Sequence, residues 1–182
     1  IIILAVFFVS SRINADVDSM AYTDVTGINN KLAYQNHINR LNNADDTFLV
    51  GVIMLDLNNL KRVNDTLGHE MGDRYMESFS AILAGMQNER ISAYRIGGDE
   101  FCVILEKTNA VEIHQILDSL ERKINVYNEK NNIKISYAKG CEISTREHYY
   151  LMEELTKRAD SRMYENKRLM KGKRLDGRRL NV

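Results

Sequence analysis

Four stretches of the chain have the length and the apolar, β-branched composition of β-strands. Residues 48–55 are almost uninterruptedly apolar, which is typical of a strand buried on both faces. Residues 91–96 and 101–105 form two shorter runs close together in the sequence, and they predict a pair of neighbouring strands. Residues 133–143 predict a fourth strand.

Helical spacing of apolar residues predicts four helices around these strands. The first covers residues 30–41, and the second carries a methionine-rich stripe that indicates core packing rather than a cofactor site. The order helix, strand, helix, strand, strand, helix, strand, helix predicts an α+β fold with helices on the faces of a sheet. The last three helices are marked by Met71, Tyr75, Met76, Phe79, Ile82, Leu83 and Met86; by Ile113, Ile116, Leu117, Leu120 and Ile124; and by Met152, Leu155, Ala159 and Met163.

Two glycines followed directly by two carboxylates lie between the second and third predicted strands. A Gly97-Gly98 pair is typical of a tight hairpin turn, because both residues can take positive φ, and backbone without Cβ can lie close to a ligand. The turn would hold Asp99 and Glu100 at a sheet edge, where carboxylates can bind a hard cation such as Mg²⁺. The alternative is a plain hairpin with solvated acids.

A further carboxylate, Asp56, directly follows the longest apolar run. It is expected at the C-terminal end of a central strand, where α/β proteins tend to place ligands. Together with Asp99 it would supply two acidic ligands from neighbouring strands, which suits one or two Mg²⁺ ions and phosphate chemistry. A turn residue or a helix cap is the alternative role of Asp56.

The segment from Asp56 to Asp73 is polar and has no long apolar period. We predict a loop that carries binding residues on a rigid scaffold. Asp73 is expected in the first turn of the following helix, where stabilisation of the helix dipole is the alternative to a binding role. The polar and glycine positions of the segment are Lys61, Asn64, Asp65, Gly68, His69, Gly72 and Asp73.

Together these motifs resemble the GGDEF family of bacterial diguanylate cyclases over roughly residues 21–171. The hairpin matches the family signature, the segment 56–73 matches its strand-ending Asp and its Asn-Asp, Gly-His and Gly-Asp pairs, and residues 158–167 match its C-terminal helix motif. The resemblance implies a mostly antiparallel sheet related to nucleotidyl cyclases and polymerase palms. It also implies that a homodimer converts two GTP into cyclic di-GMP and two pyrophosphates.

The resemblance further implies a metal site. Asp56 and Asp99 would be side-chain ligands of Mg²⁺, or of Mn²⁺ in its place, and the Leu57 carbonyl would assist. Glu100 would lie beside the metal, with a role in metal binding or proton transfer. All of these positions match the family motif in this sequence.

The same carry-over assigns the nucleotide contacts. Asn64 and Asp73 would read guanine, because a carboxylate can accept from guanine N1–H and N2–H₂ while an amide pairs with the remaining edge. The phosphates would be held by Lys61, Lys167 and Lys171, and the glycines Gly97 and Gly98 would let the backbone approach the nucleotide.

Several positions depart from the family pattern. Leu60 replaces a Phe, Asn58 replaces a common second Asp, and Lys171 replaces an Arg whose bidentate fork a lysine cannot reproduce. The N-terminal motif, residues 24–28, is read as one residue short, which leaves the entry to the first helix undefined. The Ser-x-Gly strand motif reads Ser-Tyr-Ala, with a glycine two residues later, over residues 136–140.

The family's product-binding inhibitory site is also missing from the sequence. Its Arg-x-x-Asp positions are occupied here by Asn88 and Ile91, and Arg90 lies in the wrong register. An asparagine and an isoleucine cannot provide the bidentate grip of an arginine or the acceptor oxygens of an aspartate. We therefore expect no inhibition through that site.

Composition limits the remaining classes of function. With 182 residues and 44% apolar residues, the chain is expected to form one domain with short extensions. The formal net charge of zero gives no electrostatic reason to expect nucleic acid as a partner. The basic tail, residues 167–179, is either a solvated helix end or a phosphate clamp. Cys102 and Cys141 are expected as free thiols in a reducing cytoplasm, and the four histidines have no zinc-ligand spacing.

The first nine residues are apolar and would span about 13 Å as a helix, against about 30 Å for a bilayer core. We expect the cytoplasmic end of a truncated transmembrane helix, with Arg12 on the cytoplasmic side, rather than a buried strand or a signal-peptide remnant. The catalytic domain would then lie at the cytoplasmic face of the inner membrane, anchored in the full-length protein. The predicted division is a membrane-proximal segment and linker helix at 1–20, a catalytic domain at 21–175 and a tail at 176–182.

Three functions compete on this reading. The first is an active cyclase, and the second is a catalytically silent nucleotide-binding or dimerisation module. The third is a related synthase that uses ATP, which is less consistent with Asp73, since adenine lacks the N2 amine that a carboxylate would accept from. The presence of the complete metal and guanine set favours the active cyclase.

Overall fold

Four antiparallel strands form a single sheet in the order β2-β3-β1-β4. The computed structural model describes residues 22–24, 26–44 and 49–179. The strands are β1 (Val50–Leu57), β2 (Ile91–Arg95), β3 (Glu100–Glu106) and β4 (Tyr137–Ser144). The helices are α1 (Lys31–Asn42), α2 (Leu60–Leu67), α3 (His69–Ala84), α4 (Ala110–Lys130) and α5 (Met152–Arg179).

Both faces of the sheet are covered, so the predicted α+β class and the buried central strand are confirmed. All residues of β1 are buried, and alternate side chains enter opposite cores. Ile53, Leu55 and Leu57 pack with α3 and α4, whereas Val52 and Met54 pack with α1 and α5. By this alternation the next residue, Asp56, faces α5.

The methionine-rich stripe of α3 is core, as predicted. Tyr75, Met76, Phe79 and Leu83 are buried against the sheet, and Phe79 makes an edge-on contact with Phe101, with 5.0 Å between ring centroids. Helix α1 begins one residue later than expected, at Lys31, because Asn30 caps it by accepting from two backbone N–H groups.

A close backbone approach holds α5 against β4. A Cβ on Gly140 would lie 2.1 Å from the Met163 backbone nitrogen and 2.3 Å from the Ala159 carbonyl oxygen. Only glycine allows this packing, and the packing brings the second half of α5 to the end of β1. Gly140, the displaced glycine of the Ser-x-Gly motif, is therefore required for the packing of α5 on β4, which the sequence did not reveal.

Two predicted elements differ from the structure. The segment predicted as a polar loop contains the two-turn helix α2, in which Val63 is buried and Leu60 packs against the core. Strand β4 begins at Tyr137 rather than at residue 133, because the N–H and C=O groups of Ile135 bond to the side chain of Asn128 and not to a strand.

The expected division at residue 175 stays a prediction, and α5 continues through it to Arg179. The expectations for residues 1–20 lie outside the described residues. Within the described ranges, no helix is long and apolar enough to cross a membrane. Cys102 is buried and Cys141 is half-buried, and both are free thiols.

Candidate active site

The register of β1 and β3 brings the predicted acidic residues together. Asp56 lies directly opposite Glu100 in the ladder, and the Leu57 N–H donates to the Asp99 carbonyl over 2.8 Å. Asp56, Asp99 and Glu100 therefore lie at one end of the two central strands. The prediction of carboxylates from neighbouring strands is confirmed in its placement.

Asp56 is a buried carboxylate in which one of the two oxygens is hydrogen-bonded. It is 5% exposed, and its Oδ2 accepts from Lys167 Nζ over 2.6 Å. Its Oδ1 is buried and has no hydrogen-bond partner among the residues that the structure describes. A buried anionic oxygen without a partner is costly, so this atom is a strong candidate ligand for a cation.

The oxygen atoms near Asp56 fit a magnesium ion whose coordination shell is completed by substrate oxygens. The Leu57–Asp99 pair makes one backbone hydrogen bond, and the reciprocal bond to the Leu57 carbonyl is not formed. Within the part of the chain that the structure describes, no three His, Cys, Asp or Glu residues are grouped to hold a metal. Mg²⁺ is commonly bound by one or two carboxylates plus substrate phosphates.

A cavity of about 190 Å³ opens beside these acids. Asp99 and Leu57 line one side, and Lys61, Lys167 and Lys171 contribute three basic side chains. Three cations around one small cavity can bind a polyphosphate. The structure thus brings the predicted phosphate ligands together, although α2 and α5, which supply them, are far apart in the sequence.

The Gly97-Gly98 turn differs from the predicted two-residue hairpin. Four residues, 96–99, connect β2 to β3, and the N–H groups of Ile96 and Gly97 both donate to the Glu100 carbonyl. Neither glycine lies in the left-handed region. A Cβ at Gly98 would meet no atom within 4 Å, whereas one at Gly97 would lie 2.6 Å from Glu100 Oε2. The exposed Glu100 side chain therefore folds back over the turn.

Arg95 holds this turn in place, a role that sequence reasoning missed. Its guanidinium donates to the Gly98 carbonyl over 2.9 Å and to Asp24 Oδ2 over 2.9 Å. Burial alone would raise the pKa of the Asp24 carboxyl, but hydrogen bonds from Thr26 and Arg95 lower it below its ordinary value. Asp24 is therefore a stable anion that connects the N-terminal motif to the turn.

The two predicted guanine ligands lie outside the lysine-lined cavity. Asn64 is on α2, and its amide packs so closely on Gly72 of α3 that a Cβ there would lie 1.7 Å from Oδ1. Asp73 is exposed and is the fifth residue of α3, so the expectation that it lies in the first turn is wrong; Glu70 occupies that turn. Gly68, with φ of 87°, is both the C-cap of α2 and the N-cap of α3, so the two helices follow each other directly.

Asp73 lines a second cavity, of about 280 Å³. Thr26, Met76, Glu77 and Arg95 complete its lining. Because Arg95 also binds Gly98, the turn that supplies Asp99 to the first cavity is held by a residue of the second.

An antiparallel sheet with acidic ends on its two central strands, beside a lysine-lined cavity, defines an α+β domain equipped to bind a phosphorylated ligand with a cation. The chain matches the family model described as "Diguanylate cyclase, GGDEF domain" over residues 20–173. This match covers most of the chain, which therefore belongs to the GGDEF family.

Individual relatives agree with this assignment. Diguanylate cyclase DgcN of Escherichia coli K12 is 34% identical over 152 residues, which cover 79% of this chain and 36% of that protein. Cyclic di-GMP phosphodiesterase PdeR of the same organism is 41% identical over 99 residues, or 54% of this chain and 14% of that protein. The chain thus spans about a third or less of these relatives.

The fold is shared with solved GGDEF domains. The structure of the coiled coil and GGDEF domain of DgcB from Caulobacter crescentus, in complex with c-di-GMP, superposes with a TM-score of 0.79. It is 21% identical, and the alignment covers 91% of this chain and 90% of that chain. The predicted relation to the GGDEF fold is confirmed.

Proposed function

We propose that this domain is a diguanylate cyclase that condenses two GTP into cyclic di-GMP and two pyrophosphates. The observation that carries the proposal is the arrangement around Asp56: an unpartnered buried Oδ1, the free Leu57 carbonyl, Asp99, and a cavity with three lysines. The relative named diguanylate cyclase supports the same reaction.

Each condensation joins a 3′-hydroxyl of one GTP to the α-phosphorus of the other. The hydroxyl loses a proton, the new P–O bond forms, and the bond to the β-phosphate oxygen breaks to release pyrophosphate. Asp56, Asp99 and the Leu57 carbonyl would hold Mg²⁺, or Mn²⁺ in its place, which supplies neutralisation of phosphate charge when bound. Lys61, Lys167 and Lys171 would neutralise the remaining phosphate charge and orient the leaving group.

Asn64 and Asp73 would read the guanine, from the cavity on the other side of the Gly97-Gly98 turn. The Asp73 carboxylate can accept from guanine N1–H and N2–H₂, and adenine offers no equivalent pair of donors. The open space at Gly98 would let the ribose-phosphate backbone pass between the two cavities. Glu100, at the turn, would assist the metal or accept the hydroxyl proton.

Two copies of the domain would be needed, because each copy has one guanine set and the product contains two guanylates. A homodimer with its sites face to face meets that need, and in the full-length protein a membrane anchor before residue 21 would raise the effective concentration of partners. With such an anchor the domain would lie at the cytoplasmic face of the inner membrane, where GTP is available.

The first test is to incubate the purified protein with GTP and Mg²⁺ and identify the product by mass spectrometry. Asp99→Ala should abolish turnover, about 10³-fold or more, because metal charge neutralisation contributes several kcal/mol to phosphoryl transfer. Its melting temperature should stay near that of the wild type, since the half-buried Asp99 side chain faces the cavity. Glu89→Ala, an exposed acid at the other end of the same hairpin, is the matched control.

Retention of near-normal product formation by Asp99→Ala would refute the metal assignment. Dilution supplies an independent test, because specific activity should fall steeply at low protein concentration if a dimer is the active form. A monomer of constant specific activity would refute the dimeric mechanism.

A second candidate, a silent nucleotide-binding module, is favoured by one observation. Lys167 forms an ion pair with Asp56, so the charge of this proposed metal ligand is already neutralised when no metal ion is bound. Binding of GTP with Mg²⁺ in the absence of any product would identify this function instead.

A further inference from the structure

The hydroxyl of Tyr75 interrupts the ladder between β1 and β4 at the end nearest the site. Asn58 lies opposite Ser136 by continuation of the β1–β4 register, and the Asn58 N–H donates to the Ser136 carbonyl over 2.8 Å. In a regular antiparallel ladder such a pair exchanges two bonds. Here the second bond is replaced by a bridge through the tyrosine.

The bridge has donor and acceptor geometry that only a hydroxyl group supplies at this place. The Ser136 N–H donates to the Tyr75 hydroxyl over 3.2 Å, and the hydroxyl donates to the Asn58 carbonyl over 2.9 Å. The tyrosine is 2% exposed and projects from α3 through the core. One buried oxygen thus separates the two strands and still satisfies both backbone groups.

The separation occurs at the start of the loop that enters the site. Asn58 follows Leu57, whose carbonyl is the free backbone oxygen of the acidic end, and Asn59 takes a left-handed conformation with φ of 67° before α2 begins. The Asn58 side chain also donates to Ser136 Oγ over 3.2 Å. Asn58 is therefore fixed on both sides: β4 holds the Leu57–Asn58 peptide through the Asn58 N–H, and Tyr75 of α3 holds the Asn58–Asn59 peptide through the Asn58 carbonyl.

We infer that Tyr75 is a positioning residue that sets the orientation of the Asn58–Asn59 peptide, and through Asn58 the Leu57 carbonyl on one side and the start of α2 with Lys61 on the other. The inference rests on the proposed function, because it assigns the Leu57 carbonyl to the cation. Removal of a residue that orients a metal ligand typically lowers metal affinity or activity about 10-fold to 100-fold.

Tyr75→Phe tests the inference, because it removes one oxygen and keeps the aromatic ring in the core. Tyr127→Phe is the matched control, since the Tyr127 hydroxyl also bonds to α3, at Ser78 Oγ over 3.1 Å, but away from the site. Three readouts apply to both variants: Mn²⁺ affinity by electron paramagnetic resonance, GTP turnover, and amide hydrogen exchange of residues 134–138. Melting temperatures of the two variants serve to match their stability.

We expect Tyr75→Phe to weaken Mn²⁺ binding about tenfold, to lower turnover by a similar factor and to speed exchange at Ser136. Tyr127→Phe should change Mn²⁺ affinity and turnover less than twofold. A Tyr75→Phe protein that matches Tyr127→Phe in both would overturn the inference and leave the proposed function intact. If the wild type binds Mn²⁺ but forms no cyclic di-GMP, and Tyr75→Phe still weakens Mn²⁺ binding, the proposed function fails and the positioning role stands.

If Tyr75→Phe does not fold, Ser136→Ala provides a second route. It removes the Oγ acceptor of the Asn58 side-chain amide and leaves the tyrosine bridge in place, so it loosens the same residue, Asn58, from the β4 side. Weaker Mn²⁺ binding in this variant supports the inference, and unchanged Mn²⁺ binding contradicts it.

Discussion

Lys167 and Asp56 form an ion pair of 2.6 Å across the acidic end of β1, while the second oxygen of the same carboxylate is buried without a partner in the described part of the chain. The pair joins α5 to the central strand, and Lys167, at 27% side-chain exposure, is much more accessible to solvent than Asp56, at 6%. A cation bound at the free oxygen would share the charge of Asp56. Lys167 would then be released to a substrate phosphate.

This arrangement predicts that Lys167 stabilises the cation-free protein more than the cation-bound protein. Lys167→Ala leaves the Asp56 carboxylate buried without a counter-charge, at a cost of about 1–3 kcal/mol. That corresponds to a fall in melting temperature of about 2–12 °C for a domain of this size. We expect the fall in EDTA to be larger than the fall in saturating Mg²⁺ with GTP.

Thermal unfolding of both proteins under both conditions measures the difference. Lys171→Ala is the control, because Lys171 lines the same cavity but is exposed, and it should change stability by less than about 0.5 kcal/mol. An identical loss of stability in EDTA and in Mg²⁺ with GTP would show that the cation does not reach Asp56.

A second prediction concerns base selectivity. Asp73→Ala should lower the ratio of kcat/KM for GTP over ATP by about tenfold or more, because a site built around polar pairing discriminates by leaving its own groups unpaired. Glu77→Ala is the control, since Glu77 is a further acid of the same cavity, about one helical turn along α3. The guanine-reading role of Asp73 would be ruled out if Asp73→Ala and the wild type had the same ratio of kcat/KM for GTP over ATP. It would also be ruled out if Glu77→Ala lowered this ratio more than Asp73→Ala does.

The sheet and the acidic end of β1 could be predicted because their signals are local. A long apolar run ending in an acid places Asp56, and the short distance between the next two runs places Asp99 in the turn that leads into the adjacent strand. Helix α2 could not be predicted in this way. It has eight residues, and its apolar positions Leu60, Val63 and Leu67 keep helical spacing for only two turns within an otherwise polar segment.

The contacts that hold the site in place come from distant parts of the chain and have no periodic signal. Arg95 and Asp24 are 71 positions apart, and the Tyr75 hydroxyl meets Ser136 across 61 positions. Tyr75 belongs to an apolar stripe, so its ring was predicted as core, and nothing in the pattern distinguishes its hydroxyl. The close approaches at Gly72 and Gly140 depend on neighbouring helices and are equally invisible in one sequence.

A third prediction concerns pH and a buried histidine on the α1 side of the sheet. His37 bonds through Nε2 to Glu106 over 2.9 Å and through Nδ1 to the Tyr94 hydroxyl, and Arg40 lies beside it. Burial lowers the pKa of His37 below its ordinary value of about 6.5, and the nearby Glu106 only partly opposes this. The folded state therefore binds this proton less readily than the unfolded state does.

Stability should fall as the pH drops through 6.5 toward the folded-state pKa of His37, because the unfolded chain takes up the proton first. Glu106 has a lowered pKa and the pKa of Tyr94 is raised to about 12, so neither group titrates between pH 7.5 and 5.5. Urea unfolding at these two pH values should show a smaller loss for His37→Gln than for the wild type. His114→Gln, at an exposed helix position, should behave as the wild type; equal losses in all three proteins would contradict the role of His37.

The last prediction is that the product does not inhibit through the family's Arg-x-x-Asp site. At the corresponding positions, Asn88 Oδ1 accepts from the N–H groups of Arg90 and Ile91 over 2.9 and 3.1 Å, and Ile91 is 6% exposed. The Arg90 guanidinium donates to Glu112 over 2.8 Å and to the Lys107 carbonyl over 3.2 Å. Asn88 thus closes a turn, Arg90 is held by an acid of α4, and no bidentate group is presented to a phosphate or a guanine.

Turnover should therefore continue as cyclic di-GMP accumulates, apart from weak competition with GTP at the active site. Titration of cyclic di-GMP into a steady-state assay at several GTP concentrations measures this, and inhibition should disappear at saturating GTP. Arg90→Ala is the informative variant, because it removes the arginine nearest to the site and leaves Asp56 and its surroundings unchanged. Strong non-competitive inhibition of the wild type, abolished in Arg90→Ala, would show that the Arg90–Glu112 pair opens to the product and that an inhibitory site exists in this register.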